Sequence, residues 1–248
     1  MKKRKMKTRE FKNCKRDIEF LTNHLIKKIG VQKFFDNAKL LKKFSKENPK
    51  KVAREMIAYV GLTQENIQIQ FYDWKNLGKP KGRKTRAFMD FLWSHSTRTN
   101  YMPLLINDSD LGVFDCIKRE INGKSKKFYK IYMNKKTLND PLEFLSVFAH
   151  ELTHVFLEVI NYKYRYKELA VDIASHLIGF GTTQMQYHFL LQRKLCAHGQ
   201  YLIDYNGYLT SISTIRAEET INPHRKFGER IIHYFIRKKL KKEILKNR

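Results

Sequence analysis

The feature that most constrains this chain is a helix-forming segment that is apolar on nearly every side and yet contains two histidines. Asp140-Pro141 predicts its start, with the aspartate as N-cap and the proline at the first helical position. Apolar residues then recur at steps of four and three, which is the period of one helix face: Leu145, Ala149, Leu152, Phe156 and Val159. We expect this helix to be buried, where two histidines would be costly without partners.

The two histidines belong to the motif His150-Glu151-Leu152-Thr153-His154. On a helix this spacing places both imidazoles on one face, about one turn apart, so that they can bind a single zinc ion. Glu151 adjoins the first of them and can accept a proton from a water held on that ion. The motif predicts a metal centre with Glu151 as its catalytic carboxylate. A pair of hydrogen-bonded core histidines is the alternative.

A catalytic zinc site normally has three protein ligands, so the two histidines require a third. Thirteen residues separate His154 from Glu168. A turn at Asn161–Arg165 would let a second helix bring Glu168 back towards the first. We predict Glu168 as the third ligand and Asp172, one turn later, as the acceptor of the free ring N–H of a ligand histidine. Asp172 itself and His176 remain alternative third ligands.

These residues resemble the gluzincin branch of the zincin metallopeptidases. The likeness is greatest to small forms in which H-E-x-x-H is followed by a helix carrying E-x-x-x-D, here Glu168-Leu169-Ala170-Val171-Asp172. The preceding segment Lys130-Ile131-Tyr132-Met133-Asn134 is similar to the edge strand that those folds place beside the substrate cleft. The resemblance extends over about Leu111–Thr210.

The resemblance implies an α+β, zincin-like fold, predominantly helical, with a small mixed sheet next to the H-E-x-x-H helix. It also implies a hydrolase that cleaves peptide or protein substrates with Zn2+ held by His150, His154 and Glu168 and with Glu151 as general base. The hydrogen-bond donor to the transition state stays open, with three candidates: Tyr208, His188 and His198.

The remaining sequence predicts how the chain is organised around this segment. Helical periodicity runs to about Tyr59 with a break at Asn48-Pro49, and alternating residues predict a strand at Ile67–Tyr72. Two further extended stretches flank Asn122-Gly123, which favours a tight hairpin turn. We therefore predict an N-terminal helical region (1–62), a metallopeptidase core (63–215) and a basic C-terminal helix packed on that core (216–248).

Composition limits the class of protein. Of 248 residues, 42% are hydrophobic, which is too many for a disordered polycation. No uncharged apolar run approaches the roughly 20 residues that a membrane-spanning helix needs. The three cysteines match no C-x-x-C spacing, so we expect a reducing compartment, the cytoplasm, and no disulfide scaffold.

The formal charge of +26 supports a second hypothesis from a different class. Such a surplus attracts polyanions, so the chain could be a nucleic-acid or anionic-surface binding protein with a structural or vestigial zinc site. No recognised nucleic-acid-binding motif accompanies the charge. The sequence does not indicate the oligomeric state or the cleavage preference.

Overall fold

The computed structural model describes residues 14–33, 35–44, 48–73, 111–121, 124–187 and 211–226, with short pieces at 228–231, 234–235 and 238. These residues form two units, one from the segments up to Lys43 and from Thr153 onward, the other from Phe44–Leu152. They are mostly helical with one small mixed sheet, which confirms the predicted α+β class. The predicted domain limits stay a prediction.

The described elements follow one another in a simple order along the chain. They are α1 (Lys15–Ile29), α2 (Asn37–Phe44), α3 (Pro49–Tyr59), β1 (Ile67–Tyr72), β2 (Gly112–Ile121), β3 (Lys124–Asn134), a 3₁₀ turn (Lys135–Asn139), α4 (Pro141–Val159), α5 (Glu168–Ser175) and α6 (Ser211–Ile221). Within these ranges, none of the helices has both the length and the apolarity that crossing a bilayer requires.

The core of the first unit forms where α1, α5 and α6 meet. The apolar face of α1, predicted from its periodicity, is fully buried through Ile18, Leu21 and Leu25. These side chains belong to one apolar cluster with the middle of α5 and with Ala217 and Ile221 of α6. Complete burial of one such aliphatic side chain contributes roughly 1.5–3 kcal/mol. The apolar sides of α5 are therefore fixed by this core.

In the second unit, α3 begins and ends as the sequence predicts. The Asn48 side chain accepts a hydrogen bond from the Lys50 amide (2.9 Å), and Pro49 occupies the first helical position. Gly61 follows the last turn with φ +75°, a conformation that glycine adopts at little cost. The Leu62 amide then returns to a carbonyl of the last turn, as in a Schellman motif.

The sheet has the strand order β1-β3-β2, with β1 parallel and β2 antiparallel to β3. All three strands lie where the sequence predicts them: β1 matches the alternating segment, and β2 and β3 contain the two predicted extended stretches. The expectation that Lys130–Asn134 is an edge strand is wrong, because this segment lies in β3 and pairs on both sides. The edges of the described sheet are β1 and β2. Pairing between β3 and β1, far earlier in the chain, decides this order, and no local sequence pattern reports it.

Helix α4 begins with the predicted cap and lies next to the sheet. Asp140 Oδ1 accepts hydrogen bonds from the amides of Leu142 (3.0 Å) and Glu143 (3.2 Å). The Phe144 ring lies 6.2 Å from that of Phe71 on β1, measured between centroids. The sheet and the N-terminal half of α4 thus share one apolar layer.

The C-terminal end of α4 is a Schellman turn built on an asparagine. Asn161 has φ +50°, and the Tyr162 amide donates to the Leu157 carbonyl at 2.8 Å. Asparagine tolerates this left-handed conformation better than other residues with a side chain. The helix therefore stops here and the chain can reverse towards α5.

A buried polar network fastens the far end of α5 to α6. The helix continues into a π-type turn, His176–Phe180, which kinks at Gly179 (φ +108°). His176 Nδ1 hydrogen-bonds Glu218 Oε1, and Arg225 Nη2 donates to the same carboxylate at 3.1 Å. Arg225 Nη2 also donates to the His176 carbonyl at 3.3 Å. Glu218 is only 1% exposed, so its charge depends on these partners.

The substitution Glu218→Gln should lower the free energy of unfolding by about 3–5 kcal/mol, because it leaves the buried Arg225 without its counter-charge. The neighbouring Glu219 is exposed, so Glu219→Gln should change this value by less than about 0.5 kcal/mol. Denaturant titration of both variants measures the difference. Equal stability of the two variants would contradict a role for the network in holding α5.

Candidate metal centre

Helix α4 places the two motif histidines together. Because α4 is continuous from Pro141 to Val159, His150 and His154 lie one turn apart on the same face. They are only 7% and 8% exposed. Two buried imidazoles on one face can converge on a single atom, as the motif predicts.

The first residue of α5 reaches the same face. Glu168 Oε2 lies 3.3 Å from His154 Nε2, and the Glu168 side chain keeps 27% of its surface exposed. One ligand atom from each of His150, His154 and Glu168 can be chosen so that all three lie within 4.8 Å of one another. The three residues that the sequence predicts as ligands are therefore brought together.

This donor set fits a zinc ion. Zinc in proteins is bound by imidazole nitrogen at 2.0–2.1 Å and by carboxylate oxygen at 2.0–2.2 Å, usually in tetrahedral geometry. Two such ligands lie about 3.4 Å apart across the ion, which is close to the 3.3 Å between His154 Nε2 and Glu168 Oε2. Three protein ligands also leave a fourth position for water or substrate. The residues can thus hold a divalent ion with one open site.

A second set of polar contacts brings Glu168 to this position. Arg165 forms an ion pair with Glu158 near the end of α4, and the Tyr166 hydroxyl donates to Glu158 Oε2 at 2.7 Å. Burial and the Glu158 carboxylate together raise the pKa of Tyr166, so its hydroxyl remains a donor. The Arg165 guanidinium also lies over the Tyr166 ring.

In the sequence, Glu158 shares the helical phase of the two histidines but lies one turn beyond His154, too far away to share their ion. The pattern does not identify the residues that engage this carboxylate, Arg165 and Tyr166. The available signal is a carboxylate near the end of a predicted helix, followed seven residues later by an arginine. This ion pair connects the end of α4 to the turn that leads into α5.

The side chain of Glu151 lies beside the sheet. It is 5% exposed and lies beside the first residue of β2, Gly112, within the second unit. A Cβ built on Gly112 would meet Glu151 Oε1 at 2.9 Å. The predicted general base is thus adjacent to His150 in sequence and lies against the start of strand β2.

The two alternative third ligands lie elsewhere on α5 or just beyond it. Asp172 is buried one turn after Glu168, and its predicted contact with a ligand histidine stays a prediction. His176 has its Nδ1 bonded to Glu218. Among the described residues, the group that could hold a metal ion contains neither of these two. The geometry favours Glu168.

The three candidates for a transition-state donor, Tyr208, His188 and His198, lie outside the described residues, as does the predicted Asn122-Gly123 turn. No protein family, curated protein or solved structure matches this chain. Its function is therefore inferred from its own residues and from the motif resemblance described above.

Glu168→Gln should weaken zinc binding more than 100-fold, because it removes a ligand, whereas Asp172→Asn should weaken it by 10–100-fold, as expected for a partner of a ligand. Competition with a chromophoric zinc chelator measures both dissociation constants. Glu219→Gln, an exposed carboxylate on α6, is the matched control and should bind zinc like the parent. The reverse order of the two effects would make Asp172 the third ligand.

Proposed function

We propose that this protein is a zinc-dependent metallopeptidase with a zincin-like fold. The observation that carries the proposal is the meeting of His150, His154 and Glu168 beside Glu151. Three ligands and a neighbouring carboxylate are the groups that hydrolysis with an activated water requires. The choice of a peptide bond as the target rests on the resemblance of this motif to that of gluzincins.

When bound, Zn2+ would supply Lewis acidity towards water and towards the substrate carbonyl. His150 and His154 would hold it as neutral imidazoles, with Glu168 contributing negative charge. The Glu151 carboxylate would accept a proton from the attacking water and later deliver it to the nitrogen of the leaving amine. Its burial keeps this proton transfer out of bulk solvent.

Glu151→Gln should retain zinc at the parent level and lower the rate of hydrolysis by 10²–10⁴-fold, because an amide cannot accept the proton. Cleavage of fluorescein-labelled casein measures the rate, and elemental analysis measures the metal. Glu143→Gln, in the first turn of the same helix, is the matched control and should be as active as the parent. If the Glu151 variant cleaves casein as fast as the parent does, the proposed mechanism is wrong.

A second candidate function is polyanion binding, with the zinc site structural or vestigial. It is supported by the distal half of the β2–β3 hairpin, where cations stand directly opposite one another. Lys118 pairs in register with Lys127, and Arg119 pairs with Lys126. Like charges at such positions destabilise a hairpin, and an anionic partner would relieve the repulsion.

Replacing Lys118, Arg119, Lys126 and Lys127 together by Gln should weaken binding to duplex DNA and reduce the slope of log K against log salt by up to about four. The matched control replaces four exposed lysines from other parts of the chain and so has the same net charge: Lys27, Lys28, Lys50 and Lys51. Filter binding at several salt concentrations compares the two. Identical slopes would show that the hairpin is not the contact surface.

A further inference from the structure

We infer that Gly112 is a positioning residue for Glu151: the missing side chain at the start of β2 leaves the space in which the Glu151 carboxylate lies. This inference rests on the proposed function, since it assigns the feature that sets the position of its general base. It is drawn from contacts within the second unit alone.

The backbone of Gly112 is fixed by the sheet. Gly112 pairs with Met133 in the antiparallel ladder between β2 and β3, and the adjacent Leu111 carbonyl accepts from the Asn134 amide at 2.9 Å. The strand therefore cannot move away from its neighbour without losing ladder hydrogen bonds. Whatever side chain stands at position 112 must fit against the surface that faces it.

That surface is one face of α4. A Cβ at position 112 would lie 2.7 Å from Val147 Cγ1, 2.9 Å from Glu151 Cγ and 2.9 Å from Glu151 Oε1. Val147 and Glu151 are four residues apart and so lie on the same side of the helix. Carbon atoms without a bond between them attract best at 3.5–4.0 Å, so the separations from Val147 Cγ1 and Glu151 Cγ are clashes. The separation from Glu151 Oε1 is also shorter than real Cβ contacts.

Conformation does not explain the glycine. Gly112 is absent from the glycines with positive φ, which are Gly30, Gly61 and Gly179 among the described residues. Glycine inside a strand weakens it and commonly marks a close approach of another group. Here the group that approaches is the side chain of the predicted general base.

The clash would act on Glu151 more than on the metal ligands. The three atoms nearest to the added Cβ belong to Val147 and Glu151, and none belongs to His150, His154 or Glu168. Val147 is stiff because it branches at Cβ, whereas the Glu151 side chain can rotate about its own bonds. A methyl group at position 112 should therefore turn the carboxylate away and leave the metal ligands in place.

Gly112→Ala should retain zinc and lower kcat for casein by at least tenfold, with KM changed by less than threefold. Gly228→Ala is the matched control, because a Cβ there meets nothing within 4 Å, and it should have parent kinetics. A kcat of Gly112→Ala equal to that of the parent overturns the inference, even if Glu151→Gln is inactive.

The substitution Val147→Ala distinguishes two explanations for a lower kcat in Gly112→Ala: a displaced Glu151 carboxylate, or a wider gap between α4 and β2. It removes the Cγ1 that a methyl group at position 112 would touch but leaves both Glu151 contacts. Combining Gly112→Ala with Val147→Ala should therefore not restore kcat. Full restoration would assign the defect to strand spacing and overturn the inference.

A stability cycle tests the same contact without any activity. Glu151→Ala lacks two of the three atoms that a methyl at position 112 would meet, Cγ and Oε1, and leaves Val147 Cγ1 in place. Gly112→Ala should lower Tm by about 2–10 °C in the parent and by clearly less in the Glu151→Ala background. Equal shifts in the two backgrounds would overturn the inference. If the parent cleaves no casein, the proposed function fails, and this cycle alone decides whether Gly112 sets the position of Glu151.

Discussion

The contact between His154 on α4 and Glu168 on α5 is the interaction on which the proposed centre depends. Two histidines on one helix leave zinc one ligand short of a catalytic site. Glu168 reaches the histidines only because α4 ends just before Asn161 and the chain reverses within the thirteen residues that separate His154 from Glu168. At 3.3 Å and mostly out of solvent, the two groups interact more strongly than they would in water.

Polar contacts at both ends of α5 hold this geometry. Glu158 with Arg165 and Tyr166 precedes the helix, and His176 with Glu218 and Arg225 follows it. The second set is buried throughout, whereas in the first only Glu158 is buried. Buried ion pairs often add little net stability compared with apolar residues of similar volume. Here these polar contacts fix the position and orientation of α5. An apolar core tolerates repacking, whereas zinc ligands must meet bond lengths within about 0.2 Å.

Much of the fold could be predicted from the sequence because its signals are local. The caps at Asn48 and Asp140 act within one helical turn, and the spacing of His150 and His154 fixes their common face. The position of Glu168 could be predicted because the turn between α4 and α5 is short. In each case the deciding contact lies close along the chain.

Features set by long-range contacts could not be predicted. The central place of β3 depends on its pairing with β1, and the importance of Gly112 depends on which helix faces that strand. Nothing in the sequence around Gly112 indicates that the Glu151 carboxylate occupies the space where a side chain at position 112 would lie. The resemblance to gluzincins even predicted the wrong position in the sheet for Lys130–Asn134, an edge instead of the centre. Likeness between short segments does not specify which strands pair with them.

The charge balance of the segment that contains the candidate centre differs from that of the whole chain. The chain carries +26 overall, yet residues 141–175 contain five acidic and only three basic side chains. The three basic residues lie between positions 163 and 167, in the turn, whereas Glu151, Glu158 and Asp172 are buried in the helices. A buried carboxylate is costly unless it is paired or hydrogen-bonded, and Arg165 and Tyr166 already meet this need for Glu158. In the proposed centre, a divalent ion held by His150, His154 and Glu168 would supply positive charge next to Glu151, the residue that follows His150 in α4.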